Sequence, residues 1–237
     1  MEHRPLTDRV AAIGALDEPI RWDLFAYVSH SDAPVSRDEA AQALGLTRTT
    51  AAFHLDRLAD RGLLTVQFKR LTGRTGPGSG RPAKLYSRAA GEVAVTVPER
   101  RYDFAAELLV TAIEDSARTG EPAAETVLRT AGDMGRAMGS AAHALEKVLE
   151  GLGYEPRMDP DGAMVLANCP FHRLAREHTD TVCHLNLELL RGIAEGSNDR
   201  RYTLVLDPGN GRCCVRGLVR PNADRGPRAT AEGKKPR

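Results

Sequence analysis

The sequence predicts an α+β protein with more than one domain. Apolar residues recur at helical spacing over residues 37–61 and again over 102–152. Apolar and polar residues alternate over 63–69, and the segment 72–82 that follows is rich in Gly and Pro, which indicates two strands joined by a loop. At 237 residues the chain is long enough to bury more than one core.

Two helices are predicted before residue 30. Residues 7–16 place Val10, Ile13 and Leu16 on one helical face, which we expect to cover the N-terminal domain. The acidic residues and proline at 17–19 are typical of a helix start, because acids favour the positive end and proline needs no amide partner there.

A helix, a turn and a second helix follow. Ser36 is predicted to cap the first helix, and Gly45 ends it. The second helix, 48–61, stops at Gly62 and buries a stripe formed by Ala51, Leu55 and Leu58. Its opposite face presents Arg48, Thr49, Ala52, Phe53 and Asp56. Small hydroxyls and a guanidinium at a helix start suit contact with a DNA groove.

The strand pair after Gly62 supports this interpretation. Strands are predicted at 63–69 and 83–87, with the loop 72–82 as a basic wing lying along phosphates. Between residues 48 and 88, nine basic residues stand against two acidic ones, a local charge of +7. The basic residues are Arg48, Arg57, Arg61, Lys69, Arg70, Arg74, Arg81, Lys84 and Arg88.

The sequence therefore predicts an N-terminal winged helix-turn-helix that binds double-stranded DNA. The alternative, an ordinary helical hairpin, explains neither the strands nor the basic loop. The residues expected at DNA are Thr47, Arg48, Thr49, Thr50, Phe53, His54, Arg57, Arg74, Arg81 and Lys84. Of these, Arg48, Thr49 and Thr50 are assigned to the DNA groove. Arg74, Arg81 and Lys84 are assigned to phosphates.

The composition of the chain restricts the class of protein further. The net charge of the whole chain is only +1, so the basic character is local rather than that of a general polycation. No apolar run approaches the roughly 18 residues needed to cross a bilayer, and the first residues lack a signal-peptide pattern. We therefore expect a cytoplasmic protein without membrane contact.

Two central helices are predicted at 102–116 and 123–152. Ile113 is placed on the buried stripe of the first, and three glycines of the second, Gly132, Gly135 and Gly139, permit close approach of another helix. Dimerisation through these helices is a hypothesis, based on the way two-fold regulators read two half-sites.

The C-terminal region is predicted as a small ββαββ sensor domain. Strands are expected at 154–158 and 163–167, a helix at 170–195, and strands at 202–206 and 213–218. The predicted domains are 1–90 (DNA-binding), 91–153 (linker and dimerisation helices), 154–220 (sensor) and 221–237 (disordered tail).

All four cysteines fall in this sensor region, together with a histidine. The potential metal ligands are Cys169, His172, Cys183, Cys213 and Cys214. Cysteines grouped in this way in a reducing compartment indicate a metal, cluster or redox site rather than structural disulfides. Since adjacent strand residues point to opposite faces, Cys213 and Cys214 are not expected to bind the same centre.

The pattern Asn-Cys-Pro-Phe-His at 168–172, Val-Cys at 182–183 and Gly-Arg-Cys-Cys at 211–214, after a winged helix, resembles a known family. These are the ArsR-like regulators of the SufR type, the repressors of the Suf iron–sulfur assembly operon. The resemblance implies that Cys169, Cys183 and Cys213 hold an iron–sulfur cluster. The chain departs from that family in carrying Cys214 and His172.

The residues alone are also compatible with centres other than an iron–sulfur cluster. A cluster takes four ligands, usually thiolates, whereas zinc accepts three Cys and one His. A thiol redox switch, or cysteines that are merely buried, are further alternatives. Among functions, the main prediction is a repressor whose centre modulates DNA binding. The alternatives are an enzyme using the Cys/His centre, for which no nucleophile, base and acid are recognisable, and a zinc-containing regulator that senses an organic ligand.

Overall fold

The protein is described from a computed structural model, which defines residues 4–70, 82–209 and 211–221. The chain divides into two compact units, Met1–Val95 and Thr96–Arg237. All of the predicted wing tip except Pro82, and all of the predicted C-terminal tail except Pro221, lie outside the described residues. Among the helices in the described ranges, none has the length and apolar character required to cross a membrane.

In its described residues, 4–70 and 82–95, the N-terminal unit contains four helices and a three-stranded antiparallel sheet. Its elements are α1 (Leu6–Ala15), α2 (Pro19–Ser29), β1 (Val35–Ser36), α3 (Arg37–Leu44), α4 (Arg48–Asp60), β2 (Leu64–Lys69) and β3 (Ala83–Arg88). The strand order is β1-β3-β2, with Tyr86 of β3 opposite both Val35 and Val66. The two-residue strand β1 was not predicted, because two residues show no alternation.

Local hydrogen bonds explain where the helices of this unit begin and end. The carboxylate of Glu18 accepts bonds from the amides of Ile20 and Arg21 at the start of α2. Ser36 and Glu39 form a reciprocal capping box at the start of α3. Gly45 ends α3 with a φ of 66°, which favours glycine. Caps of this kind each stabilise a helix by about 1 kcal/mol.

The predicted apolar face of α1 is wrong in detail. Val10 and Ile13 are exposed, whereas Ala12 and Ala15 are buried. The reason is steric, since α1 contacts α4 and the small alanine side chains allow the two helices to approach closely. The remaining core of this unit includes Leu24, Leu55, Leu58 and Tyr86.

The C-terminal unit combines five helices with a four-stranded antiparallel sheet within the described residues. Its elements are α5 (Tyr102–Thr119), α6 (Ala123–Ala142), α7 (Leu145–Gly151), β4 (Pro156–Met158), β5 (Met164–Leu166), α8 (His172–Glu177), α9 (Thr179–Gly196), β6 (Tyr202–Leu206) and β7 (Val215–Val219). The strand order is β4-β5-β7-β6. Together with the N-terminal unit, this mixture of helices and antiparallel sheets confirms the α+β class.

Three details of the prediction for this unit are wrong. The helix predicted over 123–152 is interrupted at His143, which adopts a left-handed conformation with φ 54°. The helix predicted over 170–195 is two helices, α8 and α9, separated at His178. Ile113 is exposed rather than buried. Periodicity alone misses these breaks because the apolar spacing continues across them.

Helices α6 and α9 pack backbone against backbone through glycines. A Cβ atom on Gly135 or Gly139 of α6 would collide with backbone atoms of α9. Conversely, a Cβ on Gly192 or Gly196 of α9 would collide with backbone atoms of α6. The close approach predicted for the α6 glycines therefore takes place within the chain, with α9 as the partner helix.

Candidate functional sites

The start of α4 presents three threonine hydroxyls. Thr47 caps the helix, and its Oγ1 accepts a 3.1 Å hydrogen bond from the amide of Thr50. The same oxygen lies 2.9 Å from the hydroxyl of Thr49 and 2.8 Å from that of Thr50. Thr47 and Thr49 are exposed and Thr50 is partly exposed. The first turn of α4 thus offers hydroxyls whose orientations are already constrained.

Arg48 extends from the same turn and is mostly exposed. Its Nε lies 2.7 Å from Oδ1 of Asp38, an exposed residue of α3. An ion pair between two exposed side chains contributes little to stability, at most about 1 kcal/mol. Arg48 can therefore leave Asp38 for a base or a phosphate at small cost. Asp38 is not recognisable from the sequence as a partner of Arg48, because only the fold brings it beside α4.

Asp38→Asn is expected to strengthen DNA binding about two- to fivefold, since it releases Arg48 and removes a negative charge from the proposed DNA-facing surface. Titration of labelled DNA with full-length protein at fixed salt measures the effect. Asp8→Asn on α1 is the matched control, because it removes the same charge from another helix. Unchanged or weaker binding by Asp38→Asn would contradict the assignment of this surface.

Further along α4, the predicted residues differ in accessibility. The Phe53 side chain is 67 % exposed, and Arg57 is exposed as well. The His54 side chain, in contrast, is only 13 % exposed, and its Nδ1 lies 3.5 Å from the Glu18 carboxylate. His54 thus contacts the residue that caps α2. In this conformation it does not reach the exposed face to which the sequence analysis assigned it.

Lys84 also has a partner that the sequence analysis did not foresee. Its Nζ lies 2.5 Å from Oδ1 of Asp56 on α4, and the Tyr86 hydroxyl donates to the same oxygen at 2.5 Å. Lys84 also lies over the Tyr86 ring. The network connects α4 to β3, so Lys84 has a structural role here. The other predicted wing residues, Arg74 and Arg81, lie outside the described residues.

This network shifts the ionisation of its members. Burial opposes ionisation of Asp56, but the hydrogen bonds from Lys84 and Tyr86 outweigh it, so the pKa of Asp56 lies below its usual value. Burial and the hydrogen bond to Asp56 raise the pKa of Tyr86 well above its usual value. Asp56 is therefore a carboxylate, and Tyr86 a hydroxyl donor, at neutral pH.

Asp56→Asn is expected to lower the free energy of unfolding of the N-terminal unit by about 1 kcal/mol at pH 7, since solvent screens this part-exposed ion pair. Because folding lowers the pKa of Asp56, the stabilisation is present above the unfolded pKa of about 4 and is lost as the pH falls through the folded value. Urea unfolding at pH 7 and pH 3 measures the destabilisation and its dependence on pH. Asp60→Asn on the same helix is the control, and a difference that does not shrink in acid would contradict the network.

The four cysteines come from three separate parts of the C-terminal unit. Cys169 lies between β5 and α8, and Cys183 lies in the first half of α9. Cys213 and Cys214 precede β7, where the amide of Cys213 donates to Leu166 and the carbonyl of Cys214 accepts from Asp207. The predicted strand thus starts two residues later than expected. The alternation argument that separated Cys213 from Cys214 does not apply, because neither residue is in the strand.

The thiols form a chain of pairwise contacts. Cys169 interacts with Cys213, Cys213 with its neighbour Cys214, and Cys214 with Cys183. Cys169, Cys183 and Cys213 are buried, and Cys214 is partly exposed. In the described ranges, no group of three or more His, Cys, Asp or Glu side chains has the arrangement that would hold a metal ion. The fold therefore brings all four sulfurs into one cluster without arranging them around one point.

The electrostatics of the cysteine cluster distinguish its members. The contact with Cys213 and the backbone amide of Phe171 lower the pKa of Cys169, although burial opposes this. Burial and the bond to Cys214 raise the pKa of Cys183 to about 12, and the contact with Cys169 raises that of Cys213 to about 12. Cys169 is thus the thiol that ionises first. The contact with Cys213 likewise raises the pKa of Cys214, so these three thiols need a partner such as a metal to become thiolates at neutral pH.

Two buried polar residues adjoin the cysteine cluster. Asn186 of α9 donates from Nδ2 to Cys213 Sγ at 3.1 Å, and Cys214 Sγ lies 3.9 Å away. The Tyr154 hydroxyl donates to Asn186 Oδ1. Neither residue was selected from the sequence. An asparagine three residues after Cys183, on an otherwise apolar helical face, is the signal that could have identified the first of them.

His172 is exposed at the first position of α8. The interactions that shift the pKa values of the four cysteines are with one another, with Asn186, Asp180 and backbone amides, and His172 is not among them. Its ring thus stays at the surface in this conformation. Of the five predicted ligands, the structure brings the four cysteines together and places His172 apart from them.

Comparison with known proteins concerns the N-terminal unit. Residues 16–67, which run from the end of α1 into β2, match the family described as a helix-turn-helix domain. No curated protein and no solved structure matches the chain. With α3, α4 and the β2–β3 hairpin in place, this match supports the ArsR-like winged-helix regulators as the family of the unit. Residues 16–67 form a helix-turn-helix domain, and this domain supports a DNA-binding transcriptional regulator.

Proposed function

We propose that this regulator is a repressor whose four cysteines hold an iron–sulfur cluster that modulates its affinity for DNA. The observation that carries the proposal is the meeting of four thiols from three distant parts of the chain. Small core residues need no particular neighbours, so the grouping of these four thiols favours a shared ligand over plain core packing. Four thiolates are the usual ligand set of an iron–sulfur cluster.

The arrangement of the DNA-binding unit supports operator recognition by α4. Its first turn offers Thr49, Thr50 and the exposed Arg48, which suit contacts to base edges. The exposed Lys69 and Arg70 at the end of β2 lead into the wing and suit contacts to phosphates. In this assignment the α4 residues select the sequence, and the wing residues supply affinity that does not depend on sequence.

The donor set suits the proposed cluster. Three of the four thiols are buried, which would limit the access of solvent and oxidants, and the partly exposed Cys214 leaves one side accessible. Cys214, rather than His172, is the proposed fourth ligand. A bound cluster would supply redox and oxygen sensitivity, while the chain positions the sulfurs and excludes water. A tetrahedral zinc site with four cysteine ligands is the second candidate, because the same thiols satisfy it.

The position of Cys183 explains how the state of the cysteine cluster could reach the rest of the unit. Cys183 lies on α9, which packs on β6 and β7 and is locked against α6 by the glycine contacts. A rigid interface of this kind transmits a shift of α9 rather than absorbing it. The proposed mechanism has two states, in which gain or loss of the cluster moves α9 with α6 and changes the spacing of the two recognition helices in a dimer.

We further propose that the dimer forms through α5. Val110 and Ile113 are 54 % and 61 % exposed, and with the exposed Ala106 they line one side of the helix. An apolar stripe at this spacing is typical of a helix that packs on another helix. Because α6 uses its glycines to pack on α9, α5 offers the free helical surface for a second copy.

The double variant Val110→Glu and Ile113→Glu is expected to be a monomer, whereas the unmodified protein sediments as a dimer at micromolar concentration. Affinity for a two-fold operator should fall with loss of the dimer, and affinity for random DNA should change far less. Glu107→Gln and Glu114→Gln on the same helix serve as controls. A monomeric unmodified protein, with and without operator DNA, would contradict the dimer.

The cluster is tested first by visible spectroscopy with iron, sulfide and zinc analysis on full-length protein purified without oxygen. Broad visible absorbance with matched iron and sulfide would support the proposal. A colourless protein with about one zinc per chain would replace the cluster by the four-cysteine zinc site. Affinity for operator DNA before and after removal of the centre then tests its regulatory role.

A further inference from the structure

Asn186 occupies an unusual place for an amide side chain. It is 1 % exposed and lies on α9 between the apolar residues Leu185 and Leu187. Burying an amide is unfavourable unless its donors and acceptor are all used. Here the oxygen accepts from the Tyr154 hydroxyl, and the nitrogen points to Cys213 and Cys214. The polar atoms of Asn186 therefore serve the cysteine cluster rather than the fold of α9 alone.

The direction of these hydrogen bonds suits a metal-bound sulfur. A thiolate carries no proton and only accepts hydrogen bonds, so it requires a donor such as an amide N–H. The Tyr154 hydroxyl donates to Asn186 Oδ1, which holds the amide with its NH2 group toward the sulfurs. Hydrogen bonds in such a chain polarise and strengthen one another.

We propose that Asn186 is a positioning residue that donates hydrogen bonds to the sulfurs of Cys213 and Cys214 when they bind a metal centre, and that Tyr154 orients its amide. The inference rests on the proposed function, because it requires that these thiols become ligands. Partners of this kind orient ligands and tune a centre, and their loss weakens metal binding about 10- to 100-fold. Hydrogen bonds to cluster sulfurs also influence the reduction potential.

The test uses ¹¹³Cd²⁺, which thiolates bind, and three variants of the full-length protein. Asn186→Leu removes the donor and leaves the buried Tyr154 hydroxyl without its acceptor, so both stability and Cd²⁺ affinity should fall. The double variant Asn186→Leu with Tyr154→Phe removes both polar partners and should recover stability. Its Cd²⁺ affinity should nevertheless stay at least about tenfold below that of the unmodified protein. Thr130→Val, a buried substitution on α6, is the control.

A spectroscopic measurement accompanies the affinities. Nuclear magnetic resonance of the unmodified ¹⁵N-labelled protein should show scalar coupling between ¹¹³Cd and the Asn186 side-chain amide, transmitted through the N–H···S hydrogen bond. The signal is assigned by its absence in Asn186→Leu. If that variant does not fold, Tyr154→Phe decides the question, because it keeps the donor but loses its orientation and should weaken Cd²⁺ binding.

Three results would overturn the inference, and they differ in what they mean for the proposed function. If Cd²⁺ binds but its affinity recovers together with stability in the double variant, Asn186 is only structural and the proposed function stands. The same holds if Cd²⁺ binds without coupling to the amide. If the unmodified, reduced protein binds neither Cd²⁺ nor an iron–sulfur cluster, the proposed function fails, and the inference fails with it.

Discussion

Gly192→Ala is expected to destabilise the C-terminal unit by about 3 kcal/mol, near the upper end for overpacking of a core. The new Cβ would collide with the backbone oxygen of Gly132 and would lie 3.0 Å from the amide nitrogen of Arg136. Both atoms belong to the backbone of α6, so relief requires that the whole helix move. The gain in helix propensity, about 1 kcal/mol, is too small to compensate.

Gly132→Ala, on the α6 side of the same contact, is the matched control. There the new Cβ would meet only the end of the Arg136 side chain, at 3.5 Å, and the nearest backbone atom of α9 at 3.9 Å. We expect this variant to be unchanged or up to about 1 kcal/mol more stable. Urea unfolding of the full-length proteins measures both, and equal effects of the two alanines would contradict the interlocked packing of α6 and α9.

The second large effect is expected at the cysteine cluster. Cys183→Ser and Cys213→Ser should each abolish binding of the proposed iron–sulfur centre and, with it, the expected difference in DNA affinity between the loaded and metal-free protein. The reason is that a neutral hydroxyl is a poor ligand for this centre, and the other three sulfurs leave it incomplete. Iron and sulfide analysis after anaerobic reconstitution measures the first loss, and operator titration measures the second.

His172→Ala provides the control for these serine variants. His172 lies at the exposed start of α8, so its loss should leave iron, sulfide and DNA affinity unchanged. Cys214→Ser is the informative fourth variant, since Cys214 is in contact with both Cys213 and Cys183. If His172→Ala abolished the centre while Cys214→Ser retained it, the proposed ligand set would be wrong.

In the N-terminal unit, the sequence predicted the helices better than the contacts between them. Helix α4 was predicted to within one residue at its C-terminal end, because Thr47 and Gly62 mark its limits and its apolar stripe is regular. The partners of the individual side chains were not predicted. The contacts Lys84–Asp56 and Arg48–Asp38 join residues on different elements, and no local pattern encodes them.

In the C-terminal unit, the sequence identified the cysteines but not the structure around them. Cysteine spacing and a family resemblance selected the four thiols, but the strand alternation argument about Cys213 and Cys214 does not apply, because β7 begins only at Val215. Their position before β7 depends on hydrogen bonds to Leu166 and Asp207, which are distant in sequence. Asn186 was not selected, although it lies three residues after Cys183 on an apolar helical face, because its partners Tyr154 and Cys213 come from other parts of the chain.

The sequence by itself determined the α+β class, the helix-turn-helix and the small set of residues that could bind DNA or metal. These features follow from local properties: capping residues, helical periodicity, strand alternation and the chemistry of thiols and guanidinium groups. The tertiary structure alone decided which cysteines meet, which cations are already paired, and that the α6 glycines face α9. Those outcomes depend on distances between elements far apart in the chain, and such distances are set by packing of the whole unit.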